Sequence, residues 1–321
     1  MIVHVGVPKS ATSSLQFHCF SKHSEINYFG KPYWCESAGY EMSVGFHRLV
    51  DNLWNQDELC FDASEEEKNY HKFVSERLDA KRVNVLSEEG LTQAGNVDRK
   101  IIAERLKTVL KAKKIIITIR NQYTSLPSGY YWLYTRNLVS CSYNRWLLAM
   151  MAPEYYRRGH DFPLRQYQYD QLVKVYSEIF GLENVLVLPM EQWTQDLDEF
   201  NRKLSDFMGI DSGELRCHLK SAPRENEKRG RLVTQAQRLI HKSRAFVLNR
   251  ILCDGKYDLM GHHFFNGPYA GKLNRVLASI DFKNKDLTRI HHELIKNYYS
   301  SGNKQLNDLL NLNLDTYRYP L

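Results

Sequence analysis

The chain has 321 residues, of which 43% are hydrophobic and 25% charged, and its formal net charge is +7. This composition is typical of a globular protein and excludes a disordered or collagen-like chain, while the positive charge fits an anionic ligand. No apolar run approaches the ~20 residues of a membrane span. The six cysteines are scattered without a CxxC pair, which favours reduced thiols in the cytoplasm and no structural metal. We expect a soluble cytoplasmic protein.

Short apolar strands alternate with amphipathic helices along the chain. This alternation predicts an α/β fold, with a parallel sheet between layers of helices. We expect a single domain over residues 1–321, with insertions at 20–63 and 138–165. The predicted strands cover residues 1–7, 82–87, 114–120 and 184–190, and the predicted helices cover residues 12–19, 64–78, 98–114 and 168–180.

The segment VHVGVPKSATSSLQ joins the first strand to the first helix through a tight turn. Backbone N–H groups at such a turn, with a helix behind them, form an anion site. Lys9 adds a charge, the small residues admit a phosphate, and three hydroxyl groups offer hydrogen bonds. An ordinary turn with a solvated lysine is the alternative. The candidate contacts are Lys9, Ser10, Ala11, Thr12, Ser13 and Ser14.

This loop differs from the nucleotide-triphosphate motif GxxxxGK[ST], because Val3 and Pro8 stand where the motif has its glycines. The strand 114–120 ends at Arg120. The strand 82–87 ends at Ser87 and is followed by Glu88 and Glu89. Neither strand itself therefore ends in the acidic residue that usually binds Mg²⁺. We therefore predict a site for a phosphate-bearing ligand without a Mg²⁺-triphosphate, and no metal.

Two motifs resemble those of the sulfotransferases, which use 3′-phosphoadenosine 5′-phosphosulfate (PAPS). PKSATSSLQ resembles their 5′-phosphosulfate loop, usually PKxGTT or PRSGTT, although Ala11 replaces a glycine that adopts positive φ easily. KIIITIRNQYTSLPSGYYW resembles their 3′-phosphate motif, with Arg120 at a strand end and Ser128 eight residues later. Pro127 fits the first turn of a helix, so we expect Ser128 near a helix N-terminus, beside Arg120. A surface arginine and a helix-start serine are the alternative.

The resemblance covers approximately residues 1–20, 83–131 and 167–321. It implies a P-loop-like topology, PAPS as sulfuryl donor and 3′-phosphoadenosine 5′-phosphate (PAP) as product. LSEEGL resembles the SSEGL-type segment of bacterial carbohydrate sulfotransferases, which implies transfer to a hydroxyl or amine of a carbohydrate or glycoconjugate. In the family a late basic loop closes over the nucleotide. The candidates for this loop here are Arg224, Lys228 and Arg229, with a solvated charged loop as the alternative.

Sulfuryl transfer needs a cation at the leaving oxygen and a base at the acceptor. Lys9 fits the first role. Adjacent residues at a strand end point in opposite directions, so we expect one of the two acids to face the site. The alignment of LSEEGL with LSSEGL favours Glu89, with Glu88 as the alternative. His18 is a competing base, whereas we expect His4 in the core because it lies within the first strand.

Acceptor recognition is expected from aromatic and cationic side chains of the insertions. For Tyr130, Trp132 and Tyr134, core packing is the preferred interpretation. Two other functions remain open. One is a nucleotide kinase or NTPase, and the other is a nucleic-acid-binding protein, which the dispersed basic residues do not favour. The other acceptor candidates are Tyr131, Trp146, Tyr155, Tyr156, Arg157 and Arg158.

Overall fold

The computed structural model describes residues 1–30, 40–92, 97–135, 138–139, 141–151, 162–222 and 288–321. The chain divides into two compact units. The single domain over residues 1–321 stays a prediction. The first unit comprises Met1–Ser125, Gly159–Glu225 and Glu293–Leu321, and the second comprises Leu126–Arg158 and Asn226–His292.

Within the described residues, the first unit is built on a five-stranded sheet in which every neighbouring pair of strands is parallel. The spatial order is β2-β3-β1-β4-β5, so the first strand of the chain lies at the centre. The α/β prediction is confirmed. The strands are β1 (Ile2–His4), β2 (Ile26–Gly30), β3 (Val83–Ser87), β4 (Lys114–Ile119) and β5 (Val185–Pro189).

Several helices begin where a short polar side chain caps the first N–H groups. Asp98, Asp196 and Asp211 each accept a hydrogen bond from the first turn of the helix that follows. Helix α1 (Thr12–Leu15) continues as a π-helical segment (Gln16–Phe20). The other described helices are α2 (Tyr40–Asn55), α3 (Ala63–Phe73), α4 (Arg99–Thr108), α5 (Gln122–Thr135), α6 (Tyr143–Met150), α7 (Phe162–Arg165), α8 (Tyr169–Phe180), α9 (Met190–Gln195), α10 (Leu197–Met208), α11 (Ser212–Ser221) and α12 (Arg289–Leu310).

Helices cover both faces of the sheet. On one face, Ile2, Val85, Ile116 and Leu188 form a core cluster with side chains of the π-helical segment, α10 and α11. The alternate residues of each strand point to the opposite face, where α8 packs against β4 and β5 and α4 packs against α8. The predicted three-layer arrangement is therefore present, with the chain's apolar strands at its centre.

Residues 26–30 form the edge strand β2, which corrects the prediction that the whole segment 20–63 is an insertion. Asn27 interrupts the apolar run that would have indicated a strand. In the structure its Nδ2 donates to Oδ1 of Asn84 on β3 over 2.7 Å. The polar side chain of Asn27 therefore has a hydrogen-bond partner within the sheet. Residues 152–161, which belong to the other predicted insertion, lie outside the described part of the chain.

Aromatic side chains form the described core of the second unit. The ring of Tyr130 lies 5.2 Å from that of Tyr143 and 5.6 Å from that of Trp146, between centroids. Tyr130 is 3% exposed, as predicted for core packing, but Trp132 is 41% exposed and the same prediction is wrong for it. Trp146 is 4% exposed, so its ring packs inside the unit rather than facing an acceptor.

Candidate active site

The carboxyl end of β1 is where the sheet changes its direction of winding. Strands β2 and β3 lie on one side of β1, and the later strands β4 and β5 lie on its other side. Open parallel sheets bind ligands at the carboxyl ends of the strands beside such a reversal. The loop after β1, together with the ends of β3 and β4, is therefore the candidate site.

The chain stays paired with β4 beyond the end of β1 and then turns back. The N–H groups of Val5 and Val7 donate to the carbonyls of Ile116 and Thr118 over 2.8 and 3.0 Å. The N–H of Ser10 then returns to the carbonyl of Val7 over 3.0 Å. This fixes a tight turn at the carboxyl end of the central strand, in the place where the sequence predicted an anion-binding loop.

Two residues of this turn adopt the left-handed backbone conformation, which is uncommon outside glycine. The φ angle is 73° at Lys9 and 56° at Ala11, so the alanine takes the conformation that glycine favours. Gly6 lets the turn close, because a Cβ there would lie 2.7 Å from Oγ1 of Thr118 and 2.9 Å from Nε2 of His4. Turns of this kind direct successive N–H groups towards an anion.

The side chains of the loop differ in their access to a ligand. Ser10, Thr12 and Ser14 are buried, Lys9 and Ser13 are half-buried, and Ala11 is exposed. The hydroxyl of Ser10 donates to the carbonyl of Val7 over 2.5 Å, so Ser10 braces the turn from within.

Arg120, the residue after β4, reaches the loop that follows β1. Its Nη1 donates to the carbonyl oxygen of Lys9 over 2.7 Å, and its Nε donates to Oγ1 of Thr124 over 3.0 Å. Both acceptors are neutral, and Arg120 forms no ion pair with any residue that the structure describes. The guanidinium therefore lies next to the loop that carries Lys9 and donates there to neutral oxygens.

The two acids after β3 have different partners. The hydroxyl of Thr12 donates to Oε1 of Glu89, which brings this carboxylate against the loop. Oε1 of Glu88 instead accepts a hydrogen bond from the N–H of Gly90 over 3.1 Å, so Glu88 caps the short 3₁₀ turn Glu89–Thr92. Of the two candidates, Glu89 is the one that contacts the loop.

Polar side chains from distant segments hold Arg120 and the residue after it. The hydroxyl of Tyr169 donates to the carbonyl of Arg120 over 2.5 Å. The N–H of Asn121 and the hydroxyl of Tyr319 donate to the two carboxylate oxygens of Glu191 over 3.0 and 2.9 Å. Burial raises the pKa of Glu191, and these hydrogen bonds partly offset the shift. These residues were not predicted as part of the site.

Tyr167 is another residue near the site that was not predicted. Its side chain is 3% exposed, and burial raises its pKa. The charge of Arg120 lowers that pKa and the charge of Glu89 raises it, so the phenol lies in the field of both groups. No local sequence pattern distinguishes this tyrosine from the many that pack in the core.

The expected place of Ser128 needs a correction. Helix α5 begins at Gln122, after Asn121, whose Oδ1 accepts a hydrogen bond from the N–H of Tyr123 over 2.9 Å. Pro127 therefore lies inside the helix rather than in its first turn, and Ser128 is not near the N-terminus. Ser128 belongs to the second unit, and its role in phosphate binding stays a prediction. Arg224, Lys228 and Arg229, and the acceptor candidates 155–158, lie outside the described residues.

No family model matches the chain, and no curated protein matches it. Among solved structures, it is similar to the crystal structure of a sulfotransferase from Alicyclobacillus acidocaldarius, at 18% sequence identity and a TM-score of 0.47. That similarity covers 78% of this chain and 95% of the other. No helix in the described part of the chain is long and apolar enough to cross a membrane. In the same residues, no group of three or more His, Cys, Asp and Glu side chains is arranged to hold a metal ion.

Proposed function

We propose that this protein is a sulfotransferase that transfers a sulfuryl group from PAPS to a hydroxyl or amine of a carbohydrate or glycoconjugate. The observation that carries the proposal is the 2.7 Å hydrogen bond from Arg120 to the carbonyl of Lys9. The sequence resemblance assigns these residues to two different phosphate motifs, 111 positions apart. A ligand that carries a phosphosulfate and a separate 3′-phosphate requires both motifs at one edge of the sheet.

The charges of the site suit such a donor. Arg120 has neutral hydrogen-bond acceptors only among its described partners, and a guanidinium binds phosphate with charge-assisted hydrogen bonds. The loop adds Lys9 and the N–H groups of its turn. The remaining proposed contacts to the donor are Ser10, through the turn that it braces, and Ala11, Thr12, Ser13, Ser14, Ser128, Arg224, Lys228 and Arg229.

Each residue in the proposed chemistry has one task. PAPS supplies the activated sulfuryl group. Lys9 stabilises the negative charge that develops on the oxygen bridging phosphorus and sulfur. Glu89 accepts the proton of the acceptor hydroxyl as its oxygen forms a bond to sulfur. Thr12 contacts Glu89 and belongs to the donor loop, so it connects the proposed base with the proposed donor site.

Ligand binding separates this function from its alternatives. PAP without Mg²⁺ should raise the melting temperature of the protein, because a ligand that binds only the folded state stabilises it. Stabilisation by Mg-ATP instead would favour a nucleotide kinase, and stabilisation by oligonucleotides would favour a nucleic-acid-binding protein.

A transfer assay tests the reaction itself. Labelled PAPS should pass its label to at least one member of a panel of glycans and glycolipids. The transfer should survive EDTA, because neither β3 nor β4 ends in the acidic residue that holds Mg²⁺ in nucleotide-triphosphate sites. Loss of transfer in EDTA with recovery on adding a divalent ion would contradict the metal-free chemistry. A cytoplasmic location remains part of the proposal, on the basis of the scattered cysteines.

A further inference from the structure

A row of buried polar side chains lies at the carboxyl end of one face of the sheet, behind the loop. His4 on β1 is directly paired with Ser87 on β3, and Nδ1 of His4 lies 2.7 Å from Oγ of Ser87. Nε2 of His4 lies 3.0 Å from Oγ1 of Thr118 on β4, which in turn lies 3.0 Å from Oγ of Ser10. Nε2 of Gln16 donates to Oγ of Ser87 over 2.9 Å. None of the five side chains belongs to an exposed residue, and His4, Thr118 and Ser10 are 0% exposed.

The two ends of this row fix the direction of every hydrogen bond in it. The hydroxyl of Ser10 gives its only hydrogen to the carbonyl of Val7, so it accepts from Thr118. Thr118 then has no second hydrogen to give and accepts from Nε2 of His4. The imidazole is neutral, since burial lowers its pKa to about 3, and its Nδ1 therefore accepts from Ser87.

The hydrogen bonds at the Gln16 end of the row are consistent with these directions. Ser87 donates to His4 and can accept from the amide of Gln16, whose Nε2 carries only donors. The chain of hydrogen bonds therefore runs from Gln16 through Ser87, His4 and Thr118 to Ser10, and ends at the carbonyl of Val7. A single tautomer of His4, with hydrogen on Nε2, satisfies all of these contacts.

We propose that His4 is a positioning residue for the donor loop, which it holds through Thr118 and Ser10 in the conformation that binds the ligand. Ser10 stands between Lys9 and Ala11, the two residues with positive φ, and its hydroxyl and its N–H both bond to the carbonyl of Val7. Left-handed residues other than glycine persist only where their surroundings hold them. The row anchors Ser10 to the sheet, so the loop has its binding conformation before the donor binds.

The identity of the ligand in this inference rests on the proposed function, and the positioning role of His4 rests on the geometry of the loop. His4 is fully buried, so it acts through Thr118 and Ser10 and touches neither donor nor acceptor. A purely structural histidine would affect only stability. A positioning histidine should in addition affect donor affinity, and a partner that restores the hydrogen bond should restore the affinity.

The experiment uses Thr118→Val, which keeps the shape of the side chain and removes the hydroxyl, and Thr118→Ser, which keeps the hydroxyl. Affinity for PAP, measured by calorimetry, should fall about tenfold in Thr118→Val, because Ser10 loses the hydrogen bond that holds the loop in its binding conformation, and should recover in Thr118→Ser. His4→Leu should match Thr118→Val. The matched control is His23→Gln. His23 is also buried, at 3% exposure, and it bonds to the carbonyl of Asp211 over 3.1 Å, outside this row.

The results separate the inference from the proposed function. Unchanged PAP affinity in Thr118→Val, or an equal loss in His23→Gln, would overturn the positioning role. If the wild-type protein binds no PAP, the proposed function fails. The positioning role of His4 is then tested on the ligand-free protein. There, ¹⁵N spectra of His4 should show a neutral ring with hydrogen on Nε2, and the amide of Ser10 should exchange faster in Thr118→Val than in the wild type. A hydrogen on Nδ1, or equal exchange in both proteins, would overturn the inference.

Discussion

The hydroxyl of Thr12 donates a hydrogen bond to the carboxylate of Glu89, and this contact ties the loop after β1 to the end of β3. Sequence alone left two adjacent acids as candidates for the base. The structure gives Glu88 a partner in the main chain, the N–H of Gly90, and gives Glu89 a partner in the loop. The difference between the two acids leads directly to a test.

Replacing Glu89 by Gln should keep the shape of the side chain and remove the proton acceptor. Turnover should fall about 10²–10⁴-fold, the usual contribution of general-base catalysis. PAP affinity should stay close to that of the wild type, because Glu89 is not among the proposed contacts to the donor. Steady-state kinetics of sulfuryl transfer, together with calorimetric titration of PAP, measure the two effects separately.

Glu88→Gln is the matched control for that experiment. The amide oxygen of Gln can still accept from the N–H of Gly90, so the 3₁₀ turn keeps its cap and turnover should stay near normal. A collapse of turnover in Glu88→Gln with normal turnover in Glu89→Gln would show that Glu88 is the base. Normal turnover in both variants would direct attention to His18.

Arg120 should make the site prefer PAP to AMP, which lacks the 3′-phosphate. A hydrogen bond to a charged group contributes roughly 1.5–3 kcal/mol, so the preference should be about tenfold or more. Arg120→Ala should remove most of it. Calorimetric titration with both nucleotides measures the preference, and equal affinities in the wild type would contradict the assignment of the motif.

The control for this arginine is Arg202→Ala. Arg202 lies on α10, pairs with Glu199 over 2.8 Å and is exposed. Its removal takes away the same charge from the protein without touching the loop. The preference for PAP should therefore survive in this variant, and its loss there would mean that net charge rather than a specific contact sets the preference.

Much of the fold could be predicted because apolar strands and amphipathic helices have clear periods. Strands β1, β3, β4 and β5 agree with the predicted segments within a few residues, whereas β2 was missed because Asn27 interrupts a short edge strand. His4, Ser87 and Thr118 left a signal, since each is a polar residue in an otherwise apolar strand. Their mutual contacts depend on the register of three strands, and this register could not be predicted from the sequence.

The support of Arg120 could not be predicted for a different reason. Tyr319 reaches Glu191 across 128 positions of the sequence, and Tyr169 reaches the carbonyl of Arg120 across 49. No local pattern encodes such contacts, because they depend on how whole helices and the residues after α12 pack. The start of α5 was misjudged because Pro127 suggested a first turn, while Asn121 caps the helix earlier.

The backbone of the loop predicts opposite effects for two small substitutions. Ala11→Gly relieves a left-handed conformation that costs other residues about 1–2 kcal/mol, against an entropy loss of about 0.5–1 kcal/mol for glycine. We expect a gain in unfolding free energy of up to about 1.5 kcal/mol. Gly6→Ala should lower it, because the new Cβ would crowd Thr118 and His4. Urea denaturation measures both, and a loss of stability in Ala11→Gly would contradict the strain.

The carboxyl group of Glu191 predicts how stability depends on pH. Burial raises its pKa in the folded protein, so its contribution to stability is fully present below the unfolded pKa and is lost as pH rises through the folded pKa. Glu191→Gln cannot ionise. The unfolding free energy of this variant, relative to the wild type, should therefore increase as pH rises from about 4 to 7.

Glu214→Gln is the control with the opposite sign. Hydrogen bonds from Ser24 lower the pKa of Glu214 to about 2, so its contribution to stability is present above the unfolded pKa and is lost as pH falls through the folded one. Glu214→Gln should thus lose stability relative to the wild type as pH rises from about 2 to 5, the window between the two pKa values. Urea denaturation over a series of pH values measures both differences. For Glu191→Gln, the difference in unfolding free energy from the wild type could instead stay constant or decrease from about pH 4 to 7, the range that begins at an ordinary glutamate pKa. That result would show that the hydrogen bonds from Asn121 and Tyr319 fully offset the cost of burying the carboxylate.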